Sequence, residues 1–172
     1  MNRIIGVLMA LVLAMGVVAT AVAAGPTTYV AVLSGAAERP NPVDTPARGV
    51  AIFQLNADGT ELSYRLIASN IENVVASHIH IGGVEAAGPV TAFLFSGPAS
   101  GRIDGVLATG TITTADLIGP LAGQTLADLI DEIEAGNAYV NVHTNDGVAP
   151  PNTGPGDFPG GEIRGQISLR GI

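Results

Sequence analysis

Three histidines are the residues of this 172-residue chain best suited to coordination chemistry. They sit in two short, strand-like segments: His78 and His80 in SHIHIGG, and His143 in YVNVHT. A strand points residues i and i+2 to the same face, so His78 and His80 share a face if their segment is extended. If the segment around His143 lies nearby in the same sheet, three imidazoles converge. Neutral imidazole is the commonest metal ligand, and three such nitrogens with one open position describe a mononuclear copper or zinc site. The chain has no cysteine to complete such a set or compete with it. The competing reading is a group of part-buried imidazoles satisfied by backbone carbonyls, since buried polar groups nearly always find partners.

The neighbours of these histidines sharpen the picture. Tyr139, Asn141 and His143 fall on one face of their segment, with Val140 and Val142 on the other. The valines are the natural core face, which sends Asn141 and His143 either to solvent or into a pocket under the loop 146–160. In GGEIRGQI, Glu162 and Arg164 share a face and could form an ion pair with each other or with neighbours. Alternatively Glu162 accepts an N–H from a ligating histidine, and Arg164 holds an anionic ligand through its planar fork. Asp157, in the loop, is a lesser candidate for the task given to Glu162. The expected site is thus His78, His80 and His143 as ligands, with Asn141, Asp157, Glu162 and Arg164 around them.

The elements that must position these residues are β-strands. High glycine and proline content, few charges and repeated β-branched runs indicate an all-β domain. Candidate strands are 29–34, 49–55, 61–68, 75–81, 90–96, 105–112, 138–144 and 162–169. The run Leu55-Asn56-Ala57-Asp58-Gly59-Thr60-Glu61 signals a tight turn, joining the second and third strands as a hairpin. About eight short strands over this length suit a Greek-key β-sandwich or barrel. Segments 36–48 and 146–160 read as loops. One stretch breaks the pattern: Thr125 with Asp128 forms a capping-box signature, and Leu126, Leu129, Ile130 and Ile133 make one apolar helical face before Gly136. A shorter helical turn is expected at 114–117. This helical insertion should cap one end of the sheet.

The amino terminus carries one positive residue, Arg3, then an apolar run ending in Ala21-Val22-Ala23-Ala24. This is the pattern of a signal peptide over 1–24, with cleavage after Ala23 or Ala24; the alternative is an uncleaved membrane anchor. Residues 25–172 then form one domain, expected in a secreted, periplasmic or otherwise extracytoplasmic location. Six arginines and fifteen carboxylates give that domain a net charge of about −9. Such a surface repels phosphate backbones and argues against nucleic-acid binding.

Read together, SHIHIGG, AAGPVTAFLFSGP, the long run from GTITTADLIGP to GNAYVNVHTNDG, and FPGGEIRGQI resemble the chordin-type or CHRD domain over about residues 28–169. The resemblance implies an extracellular β-rich domain, single in microbial secreted proteins and repeated in animal chordin. The growth-factor antagonism of animal chordin does not transfer, because this chain lacks the accompanying cysteine-rich modules. A second resemblance concerns the histidines alone: HxH on one strand and a later histidine on another is similar to the copper-ligand layout of copper–zinc superoxide dismutases. The chain departs from that family in having no fourth histidine, no histidine-rich zinc loop and no cysteine pair. No GxSxG elbow, phosphate-binding glycine loop or HExxH motif is present, and the acidic residues at 128–134 lack calcium-loop spacing. The expected function is an exported binding or structural module holding copper or zinc. The alternatives are a domain binding an extracellular protein or matrix without metal, and a small copper redox enzyme.

Overall fold

The computed structural model describes residues 25–99 and 101–170. The expected signal peptide at 1–24 lies outside the described residues. Nine strands form one antiparallel sheet: β1 (Thr27–Ser34), β2 (Arg48–Leu55), β3 (Leu62–Glu72), β4 (Val74–Ile81), β5 (Val90–Ser96), β6 (Arg102–Ile112), β7 (Ala138–Thr144), β8 (Ile163–Gln166) and β9 (Ser168–Leu169). Their order is β5-β4-β7-β8-β1-β2-β3-β6, with β9 also on β1. The end strands β5 and β6 touch, so the sheet is nearly closed into a barrel. The expected eighth strand is in fact two. At Ile167 the chain leaves the ladder, donating its N–H to Ala138, and re-pairs with β1 as β9.

Alternation explains the core. In β1, Tyr29, Ala31 and Leu33 are buried while Val32 faces out at 70% exposure. Phe53, Leu62, Leu66, Ile71, Ile79, Val140, Val142 and Ile163 complete the interior. The β2–β3 hairpin closes as the sequence indicates: the Asn56 side-chain oxygen accepts from the backbone N–H of Thr60 and of Glu61, and Gly59 takes a positive φ of 69°. Helix α1 (Leu126–Glu134) starts at the Thr125–Asp128 capping box and buries Leu126, Leu129, Ile130 and Ile133. Glu134 near its end accepts a hydrogen bond from Tyr29 at 2.7 Å, tying the helix to β1. The expected turn at 114–117 is a 3₁₀ turn over Thr114–Asp116. No helix among the described residues is long and apolar enough to cross a membrane.

The functional face lies on the part of the sheet formed by β5, β4, β7 and β8. Cross-strand partners share a face of the sheet. Phe93 pairs with His78, His78 with Asn141, and Asn141 with Arg164; in the next rows His80 pairs with Tyr139, and Ala76 with His143. These side chains therefore share the outer face of the barrel, opposite Ile79, Val140 and Val142. The β4–β5 register shifts between Ser77 and His78 and again between Ile79 and His80. Such bulges re-aim side chains locally, and here they flank both histidines.

Candidate metal centre

Outer-face residues are normally wet, yet Tyr139, Asn141 and Arg164 are each no more than 3% exposed, and His80 is 7% exposed. Side chains and backbone of the β4–β5, β1–β2 and β7–β8 connections account for the cover. Arg164 donates to the carbonyls of Ala86 and Gly83, both at 2.8 Å, and Gln166 donates to that of Gly82. Glu162 accepts from Thr45 at 2.5 Å, from Thr144 at 2.7 Å and from the Gly156 N–H at 2.9 Å. One carboxylate thus ties the β1–β2 and β7–β8 connections to β7.

Within this shelter the three histidines meet. One nitrogen from each of His78, His80 and His143 lies within 4.8 Å of the other two. Ring centroids are 5.0 Å apart for His78 and His143, 5.5 Å for His78 and His80, and 6.1 Å for His80 and His143. Bonds of about 2.0–2.1 Å place ligand nitrogens roughly 3.3–3.6 Å from one another. Side-chain rotations of about an ångström close that gap.

Hydrogen bonding decides which nitrogens are free. His80 Nδ1 is 2.8 Å from the Gly88 carbonyl, and His143 Nδ1 is 2.9 Å from that of Pro159. A carbonyl only accepts, so both Nδ1 atoms carry the proton and both Nε2 atoms keep a lone pair. Those two Nε2 atoms, together with His78 Nδ1, are buried and without a hydrogen-bond partner. Burial is the first cause that lowers all three imidazole pKa values. For His78 burial is reinforced by His143 and His80, and the value falls to about 4. For His80, the Gly88 carbonyl and the Asn141 side chain oppose the effect of burial, while Arg164 adds to it. For His143, the Pro159 carbonyl opposes burial and His80 adds to it. The cluster is therefore neutral at neutral pH, the state in which imidazole binds metal.

Aromatic rings frame the cluster. Tyr139 stacks on His80 at 4.9 Å and 8°, and Phe93 meets His78 edge-on at 4.6 Å. Asn141 lies directly across from His78, and its Oδ1 is buried with no partner.

The supporting roles expected from sequence fall differently. Glu162 takes no imidazole N–H; backbone carbonyls of Gly88 and Pro159 do that work. Nor does Glu162 pair with Arg164, since the ion pairs among the described residues are Arg39–Glu85 and Arg102–Asp104. Arg164 spends its donors on loop carbonyls rather than presenting them to an anion. Asp157 accepts from the N–H and hydroxyl of Thr153 and so braces its own loop. Sequence reading overlooked Glu38, buried to 4% exposure with Oε1 unpartnered. Burial pushes its carboxyl up to about 7, against the pull of Arg164. Glu38 comes from a proline-rich loop with no periodicity to flag it. Tyr139 was visible on the histidine face, but its stacking on His80 was not.

Such a fold, an almost closed antiparallel barrel with a loop-covered histidine cluster on its outer face, defines an all-β module. The family model for the CHRD domain matches residues 29–167, and the chain belongs to that family. A comparison with curated proteins found no match.

Proposed function

We propose that this chain is an exported CHRD module that holds one copper or zinc ion through His78 Nδ1, His80 Nε2 and His143 Nε2. One observation carries the reading: a ring nitrogen from each of His78, His80 and His143 lies within 4.8 Å of the other two, and each ring carries a buried nitrogen without a hydrogen-bond partner. Leaving three such acceptors unsatisfied costs free energy, and an ion recovers it by bonding to all three at once. An all-imidazole set without thiolate or carboxylate suits copper and zinc over calcium or magnesium, and copper binds the tighter of the two at equal supply. When bound, the ion supplies a Lewis-acid centre or, as copper, a one-electron carrier. His78 and His80 on β4 and His143 on β7 would be joined by it across the ladder, and the Gly88 and Pro159 carbonyls keep two rings in the ligating tautomer. Export is supported by the leader-like amino terminus, and a cysteine-free domain of this size is suited to any redox compartment.

Metal analysis of protein purified after export tests the reading. About one equivalent of copper or zinc is expected, and none in the variant with all three histidines changed to alanine. Equal metal content in the two proteins would refute it. Amino-terminal sequencing of the same sample should begin at Ala24 or Gly25.

A further inference from the structure

Resting on the three-histidine reading, we propose that Asn141 supplies a fourth ligand atom, its Oδ1, so that the metal site is closed to solvent and to exogenous ligands. Four side-chain atoms on this face are buried and unpartnered at one place in the β4–β7 ladder: His78 Nδ1, His80 Nε2, His143 Nε2 and Asn141 Oδ1. Asn141 pairs directly with His78 and precedes His143 by two residues, so its side chain stands beside both on the same face. Its amide is also oriented. A Cβ added at Gly161 would stand 2.9 Å from Asn141 Nδ2 and 2.7 Å from Glu38 Oε1, so the amino end of the amide lies against the Gly161 backbone. The oxygen end, Oδ1, is the atom left buried and unpartnered, on a residue directly across the ladder from His78.

Closure follows from the burial of these four atoms, on a face where His78 and His143 are themselves half-buried. A cleft of about 390 Å³ lies between residues 38–44 and 158–161, yet none of the histidines lines it. Sites with four protein ligands are structural, and catalytic sites keep one position for water or substrate. An N₃O set sealed in this way makes the ion a clamp between β4 and β7 rather than a reaction centre.

Cobalt(II) loading with azide titration tests the proposal, since azide enters only an open coordination position and shifts the visible cobalt spectrum. The full chain should bind one cobalt, and its spectrum should stay unchanged on adding azide. Asn141→Ala should still bind cobalt through the histidines but gain an azide-dependent shift; Asn141→Asp, which keeps an oxygen, should remain insensitive. A shift in the unmodified protein overturns the closed site, and that arm needs no variant to fold. Identical azide responses in the unmodified and Asn141→Ala proteins also overturn it. Failure of the unmodified protein to take up cobalt is a different result: it removes the three-histidine reading and this one with it.

Discussion

The guanidinium carbon of Arg164 lies 3.4 Å from the ring centre of Tyr139, while the same ring stacks against the His80 imidazole. Arg164 approaches from β8 and His80 from β4, so the tyrosine is held between a cation and a candidate ligand. The Tyr139 hydroxyl accepts the Gly88 N–H at 3.0 Å, and the Gly88 carbonyl meets His80. Arg164 therefore fixes the loop that orients His80. Arg164→Lys keeps the charge but loses the planar fork that reaches both Gly83 and Ala86. It should destabilise the domain by about 2–4 kcal/mol, measured by urea unfolding. A change within roughly 0.5 kcal/mol, the range of an ordinary surface substitution, would show that the fork is dispensable.

Glu162 is fully buried, and its three bonds tie Thr45, Thr144 and Gly156 together. Glu162→Ala leaves three buried donors without an acceptor, at a cost of about 3–5 kcal/mol. The first segment released should be 145–161, because Gly156 and Thr144 are its anchors. Limited proteolysis should then cut there before anywhere in the barrel, and unchanged cleavage would count against the anchoring role.

Metal binding should appear as thermal stability. An ion at a hundredfold excess over its dissociation constant adds about 2.7 kcal/mol to a protein whose unfolded chain does not bind it. For a domain of this size that is a rise in Tm of roughly 5–10 °C on adding copper or zinc. The triple-alanine protein should show none. Equal rises in both proteins would place the binding elsewhere on the acidic surface.

How far this arrangement could be read from sequence depended on periodicity. Alternation in AYVNVHT put Tyr139, Asn141 and His143 on one face and the valines on the other, and the capping box at Thr125 placed α1. Alternation runs along a strand and says nothing about which strands are neighbours, so the meeting of β4 with β7 needed the fold. Nor could it show what covers the face. Glu162 and Arg164 were noticed as charged residues in an apolar strand, but their partners lie between 6 and 117 residues away in sequence, most of them in loops. Glu38 gave no signal, because a single carboxylate among prolines looks like solvated loop.

Glu38 should also leave a pH signature on stability. Its carboxyl is raised from an ordinary 4.5 to about 7 by burial, with Arg164 and the Arg39 N–H pulling the other way. A group raised on folding contributes stability that is full below its unfolded value and is lost as pH climbs through its folded value. The three histidines have the opposite sign: lowered on folding, they contribute above the ordinary 6.5 and lose that contribution as pH falls. Glu38→Gln leaves the histidines in place, so comparing it with the unmodified protein isolates the carboxyl. In the metal-free state the variant should gain on the unmodified protein between pH 5 and pH 8, by up to about 3 kcal/mol. Urea midpoints at the two pH values measure this, and a difference that stays constant across them would contradict it.

Gly161 is where the two buried polar side chains crowd the backbone. Its φ of 129° is one that residues with a Cβ rarely adopt, and an added Cβ would stand 2.7 Å from Glu38 Oε1 and 2.9 Å from Asn141 Nδ2. Neither neighbour can swing away, since Glu38 and Asn141 are 4% and 3% exposed. Gly161→Ala should therefore destabilise the domain by about 2–4 kcal/mol through backbone strain and overpacking. Pushing Asn141 and the adjacent Pro159 segment should weaken metal binding in the same variant. Gly160 is the control one residue away, because a Cβ there meets nothing within 4 Å. Gly160→Ala should stay within about 0.5 kcal/mol of the unmodified protein and keep its metal. If the two alanine variants unfold at the same urea concentration and load equally, the tight seat around Gly161 is not what holds Asn141 beside the histidines.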